Sequence, residues 1–185
     1  MSDSLAYIDE NYIDDSFTKN KTELIHGKIY AMSPRPRLEH GTVCTNIVSE
    51  FRNYLKGKSC RAYGDGVDLF LDDKNRFIPD VMIVCNPDIR KKDGIHGTPD
   101  LVVEVLSPST AQNDRWRKKS AYEQAGVKEY WLVDPLNCII EVYLNKNNLF
   151  ILDKLYTLED DILKVSILDN LIIKLTDIFD YVDEL

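Results

Sequence analysis

The stretch D100-L-V-V-E-V-L-S-P-S-T110, with D114-R-W-R-K-K-S-A-Y122 and E129-Y-W-L-V-D134 after it, decides the fold. Leu101, Val102, Val103, Val105 and Leu106 place apolar groups on both faces of one strand, as at the centre of a covered sheet. Ser109 or Thr110 is a plausible N-cap for a helix that runs to about Ala125, where Gly126 ends it. Glu129–Asp134 reads as a second buried strand, and Asp134-Pro135 turns the chain into the strand-like C138-I-I-E-V-Y-L144.

Outward from this centre, E23-L-I-H-G-K-I-Y-A-M-S33 alternates around His26-Gly27 and predicts a short β-hairpin, broken by Pro34 and Pro36. From Leu38 to about Lys56, Val43, Ile47, Phe51, Tyr54 and Leu55 recur at helical spacing, and Gly57 is a stop signal. Two strand-like stretches follow, C60 to L71 and F77 to C85, with a turn at D72-D-K-N75 between them. Residues 86–97 read as a polar loop, and the C-terminal part as two more short strands and a helical turn. Helices flanking a central mixed β-sheet, an α/β or α+β arrangement, fit this order better than a bundle or a sandwich.

A chain of 185 residues with 44% hydrophobic and 29% charged residues suits one globular domain over 1–185, with the acidic residues 1–20 a loosely held arm. Lys and Arg number 23 against 31 Asp and Glu, a net charge of -8, which excludes nucleic-acid binding through bulk charge. A local basic patch with a metal stays open. The first sixteen residues carry Asp3, Asp9, Glu10, Asp14 and Asp15 and no basic residue, unlike a signal peptide. Apolar runs of about five residues are far from the roughly 20 of a membrane span, so the expectation is a soluble, cytoplasmic protein. Cys44, Cys60, Cys85 and Cys138 form no CxxC pair and are expected to be reduced thiols.

Glu104 carries a carboxylate into an apolar strand, which costs several kcal/mol unless it is neutralised, ion-paired or bound to a metal. Asp80, in I78-P-D-V-M-I-V84, poses the same problem. Two such acids on neighbouring strands repel unless one holds a proton or a cation sits between them, and magnesium is a cation of that kind. Asp100 lies four residues from Glu104, roughly 13 Å along a strand, so it starts the strand or orients a loop and does not share the same ion. Lys118 shares a helical face with Asp114, Tyr122 and Ala125, which also includes Ala121 and turns toward the sheet. The surrounding basic run otherwise reads as a solvated face.

Together P79-D80, D100-L-V-V-E104-V-L-S-P-S109, D114-R-x-x-K118 and A125-G-V-K-E-Y-W-L-V-D134 resemble the Uma-type family of restriction endonucleases, placed in the PD-(D/E)XK nuclease superfamily. The resemblance runs from about Glu23 to Tyr143 and implies a restriction-endonuclease-like core, a mixed sheet flanked by helices. By position, Asp80 matches the PD aspartate and Glu104 the acid of the second motif. Leu106 stands where that motif has its lysine, and Lys118 on the next helix matches the migrated lysine of the Uma-type pattern. Glu23 resembles the family's additional acidic residue, although its place also suits an exposed hairpin position. His40, in L38-E-H-G41, fits the pattern too, beside the structural or substrate-contact role of a lone histidine.

The resemblance implies a metal-dependent endonuclease acting on nucleic acid, DNA first. Asp80, Glu104 and Glu23 would hold Mg2+ or Mn2+, while Lys118 positions water or offsets phosphoryl charge. Arg90, Lys91, Lys92, Arg115, Arg117 and Lys119 are candidate phosphate contacts, and a homodimer is the expected assembly. The competing classes are a catalytically silent binding or interaction protein with this fold, and a small-molecule phosphodiesterase with the same acids.

Overall fold

The computed structural model describes residues 22–31, 37–108 and 111–181. The expected N-terminal arm, the breaks at Pro34 and Pro36 and the Ser109 or Thr110 cap lie outside these residues. β1 (Thr22–Ile25) and β2 (Lys28–Ala31) form the expected hairpin, with Glu23 paired to Tyr30. His26 at φ 51° and Gly27 at φ 77° give the two left-handed turn residues that a two-residue hairpin loop requires. α1 (Leu38–Leu55) buries Val43, Ile47, Phe51 and Leu55, one per turn, as the periodicity predicts.

The next stretch departs from the reading of two continuous strands. The first divides into β3 (Arg61–Gly64) and β4 (Leu69–Asp72), the second into β5 (Asn75–Phe77) and β6 (Val81–Val84). The halves belong to different sheets: β2-β1-β5-β4-β7 form a five-stranded sheet, and β11-β10-β9-β8-β6-β3 a six-stranded one. Gly66 at φ 93° turns the chain out of the larger sheet, and it returns just after Pro79, which has no N–H for a ladder. β7 (Ile95–His96) closes the edge of the smaller sheet.

β8 (Leu101–Val105) and β9 (Glu129–Asp134) lie parallel, whereas β6, β10 (Ile139–Asn145) and β11 (Phe150–Tyr156) pair antiparallel with their neighbours. The larger sheet is therefore mixed, as expected. Between β8 and β9 runs a helix whose Asn113–Lys118 part is π-helical and whose last turns are α2 (Lys119–Ala125), ended by Gly126 at φ 83°. Three strands, not the two expected, follow β10, and the first of them, β11, is seven residues long. β12 (Ile162–Lys164) and β13 (Ile172–Lys174) form a separate pair, and α3 (Leu175–Ile178) is the expected helical turn.

The strand alternation sorts the core. Leu101, Val103 and Val105 pack with Val43, Ile47 and Phe51 of α1, and Trp131 and Val133 of β9 join them. Val102 and Leu106 pack with Tyr122 of α2, Tyr130 and Phe77 on the opposite face. Glu104, in step with Val102 and Leu106, must therefore face α2.

The expectation of four reduced thiols is corrected at two positions. Cys60 and Cys85 form a disulfide, while Cys44 and Cys138 are free. Arg61 pairs with Val84 across β3 and β6, so Cys60 and Cys85 are the next pair along the ladder. A separation of 25 residues in sequence conceals that adjacency. Among the described residues, no helix is long and apolar enough to cross a membrane.

Candidate active site

The pairing of Val81 with Val103 brings the start of β6 beside the end of β8. Asp80, just before β6, accepts a hydrogen bond from the Val105 N–H at Oδ2 (2.7 Å). His40, in the first turn of α1, places Nε2 3.5 Å from the same oxygen. Asp80 is thereby fixed at the end of the sheet, between the strand that carries Glu104 and the N-terminal turn of α1.

Glu104 points into the space under α2, where it is 2% exposed. The Tyr122 hydroxyl donates to its Oε1 at 2.8 Å, and Lys118 Nζ lies 3.4 Å from it. Lys118, 4% exposed, also stands 2.9 Å from Glu23 Oε1 and 3.3 Å from Asp114 Oδ1, one turn back on its own helix. Glu23 Oε1 also accepts from the Ile78 N–H at 3.1 Å. The ion-pair reading of Glu104 is met, since the acid has a lysine, but that lysine is shared three ways.

Among the described residues, several acids face one lysine. Glu23, Glu104 and Asp114 converge on one ammonium, with Asp80 beside them. Burial pushes the Glu104 carboxyl well above the usual carboxylate range. Lys118 opposes that shift, while Asp114, Asp80 and Glu23 reinforce it. Burial works against the Lys118 ammonium, but Glu104, Asp114 and Glu23 outweigh it and hold it charged. For His40, too, burial opposes the charge, and its contact with Asp80 prevails and raises the pKa. Such a surplus of carboxylate oxygen suits a hard divalent cation, which takes oxygen ligands and cancels the repulsion.

The five residues singled out from sequence, Glu23, His40, Asp80, Glu104 and Lys118, are brought to one place. Asp114 and Tyr122 complete the cluster; their signal was the i, i+4 face they share with Lys118. Asp100 accepts from the Cys85 N–H and pairs with Lys128, each at 2.7 Å, and so anchors a loop as expected.

The basic loop is corrected. Arg90 donates to the Ser59 and Val84 carbonyls, at the opposite end of β6 from Asp80 and roughly 13 Å along the strand. Arg90, Lys91 and Lys92 are thus not arranged around the carboxylates. Arg115 is paired with Glu141 at 2.6 Å, and Lys119 lies over the Tyr143 ring. Arg117 is exposed and lies over the Tyr30 ring. The basic residue beside His40 is instead Arg37, which with Leu106, Pro108 and Leu136 lines a shallow depression. Sequence reasoning missed it because its only mark is a place next to a helix start.

A family model described as Uma2, putative restriction endonuclease, matches residues 10–175. Over 132 residues the chain is 33% identical to the uncharacterized protein slr1290 of Synechocystis sp., covering 70% of this chain and 68% of that protein. The crystal structure of a putative nuclease belonging to DUF820 from Anabaena variabilis is similar with a TM-score of 0.71 and 22% identity, covering 88% of this chain and 92% of that one. The mixed sheet with its flanking helices is thus a nuclease-type fold. The chain belongs to the Uma2 family.

Proposed function

We propose that this protein is a metal-dependent endonuclease that hydrolyses phosphodiester bonds of nucleic acid, with DNA as the first substrate. The observation that carries this reading is the convergence of Glu23, Glu104 and Asp114 on Lys118, with Asp80 alongside. A purely structural ion pair needs one acid for one base; among the described residues three acids face this base, and burial pushes one of them, Glu104, toward protonation. Asp80 and Glu104, with Glu23, would hold Mg2+ or Mn2+. When bound, such an ion supplies a polarised phosphate and a water of lowered pKa.

The chain's own residues do the rest. Lys118 offers a fixed positive charge to the phosphoryl oxygens, at a place from which water is largely excluded. Tyr122 orients Glu104 through its hydroxyl, and the Val105 N–H orients Asp80. His40 gives and takes a proton at Nε2 beside Asp80, on the side of the depression that Arg37 borders. Arg37 contacts the substrate backbone there. Cutting both strands of a duplex usually takes two such sites, and a homodimer would supply them.

The test is cleavage of single- and double-stranded DNA and RNA at low salt, with magnesium, manganese or chelator, by the wild type and by Glu104→Gln. Metal-dependent cutting that the variant loses is the expected result. Cutting that survives both chelator and Glu104→Gln, or metal-independent binding without any cutting, overturns it.

A further inference from the structure

A second set of ligand atoms lies on the α1 side of Asp80. His40 and Cys44 are one turn apart on α1 and therefore share a face. Cys44 Sγ is 3.5 Å from His40 Nδ1, and His40 Nε2 is 3.5 Å from Asp80 Oδ2. One ligand atom from each of His40, Cys44 and Asp80 can be chosen so that all lie within 4.8 Å of one another. All three side chains are half-buried, held by their elements yet open to solvent.

We propose that His40, Cys44 and Asp80 form a binding site for a thiophilic divalent cation of the zinc type, distinct in ligand chemistry from the all-carboxylate set under α2. Zinc takes nitrogen and oxygen at about 2.0–2.2 Å and thiolate sulfur at about 2.3 Å, so tetrahedral ligand atoms stand about 3.5 Å apart. The two contacts of 3.5 Å already have that spacing, although they use opposite nitrogens of the ring. The ion takes one nitrogen, and the third side chain, whose ligand atom lies within 4.8 Å of the others, moves in by at most about 1.3 Å to reach tetrahedral spacing. Three protein ligands leave the fourth position to water. Magnesium, which takes oxygen ligands, has no use for the thiol or the imidazole.

A thiol binds zinc as the thiolate, so binding releases its proton. Asp80 belongs to both sets, so a thiophilic ion here displaces the hard cation; this consequence alone rests on the endonuclease reading.

The test titrates the full chain, without reductant, with cadmium as a spectroscopic stand-in and with zinc for X-ray absorption. A thiolate-to-cadmium charge-transfer band that saturates at one equivalent is expected, with one sulfur near 2.3 Å from zinc. Cys44→Ser and Cys44→Ala are expected to abolish the band and weaken binding by at least about tenfold, the scale of losing even an outer-shell partner. Cys138→Ser retains both, and His40→Gln weakens binding while the melting transition shows each variant folded. A band that survives Cys44→Ser, or is lost instead in Cys138→Ser, overturns the proposal, as does a wild type with no sulfur at zinc. These readings need no nucleic acid, so they stand or fall separately from cleavage.

Discussion

Lys118 Nζ lies 2.9 Å from Glu23 Oε1, and this contact joins the helix after β8 to the first strand of the other sheet. The same ammonium faces Glu104 and Asp114. Lys118→Met keeps most of the volume but leaves three buried carboxylates facing one another. It is expected to cost about 3–5 kcal/mol at neutral pH by urea unfolding. The loss shrinks as pH falls and Glu104, whose pKa burial raises, takes up a proton. An equal loss at neutral and acidic pH would assign the effect to packing and not to charge.

Glu104→Gln separates function from stability. The amide keeps an oxygen for the Tyr122 hydroxyl, and Lys118 keeps Glu23 and Asp114. Because burial and three neighbouring acids already disfavour the Glu104 charge, removing it leaves stability unchanged or raises it by about 0.5–2 kcal/mol. Manganese affinity, followed by calorimetry, falls at least about tenfold. A loss of 3 kcal/mol or more, on the order of a broken buried pair, would make Glu104 a structural partner of Lys118.

Arg37 and the loop at Lys91 and Lys92 make opposite predictions for nucleic-acid binding. Arg37→Ala, beside His40, is expected to weaken binding and reduce the salt slope by about 1. The double change Lys91→Ala and Lys92→Ala, at the far end of β6, leaves the slope unchanged. Fluorescence anisotropy at several salt concentrations decides; the reverse pattern would move the substrate path to that loop.

Glu129 supplies a pH dependence away from the site. Its carboxylate accepts from Trp131 Nε1 at 2.8 Å and from the Ile167 N–H at 2.9 Å, yet burial holds its pKa above the usual range. Between the unfolded value, about 4.3, and the raised native value, the native state keeps a proton that the unfolded chain has released. Stability therefore falls as pH rises through that window. Glu129→Gln lacks this contribution, so the stability difference, wild type minus variant, decreases from pH 4 toward neutrality. A difference that grows instead would mean that the two donors outweigh burial.

Glu129 also shows what the sequence could and could not tell. The rule that singled out Glu104, an acid inside an apolar strand, applies equally to E129-Y-W-L-V-D134. What differs is who arrives: Trp131 and the Ile167 N–H at one, Lys118 and further carboxylates at the other. Those partners come from 2 to 81 residues away, and local pattern does not report them. α1, the first hairpin, β8 and β9 were legible because periodicity and turn residues are local. The division of residues 60–71 and 77–85 between two sheets was not, since alternation fixes a face and not a sheet. Asp114 was placed on the inward face by its i, i+4 spacing to Lys118, but that spacing could not tell that Glu23 and Glu104 would meet the same lysine.

The Cys60–Cys85 bond makes a closed ring of chain. That ring leaves the larger sheet at β3, visits the smaller one as β4 and β5, and comes back with Asp80 and β6. Asp73 and Lys74 form an exposed turn within it. A protease that cuts after Lys74 would open the ring without dividing the molecule, and the two pieces would part on a gel after reduction. Asp80 would then sit near the new end of a chain still tethered, six residues from the cut, and its hold on the Val105 N–H would report how much of its position comes from the sheet and how much from the ring.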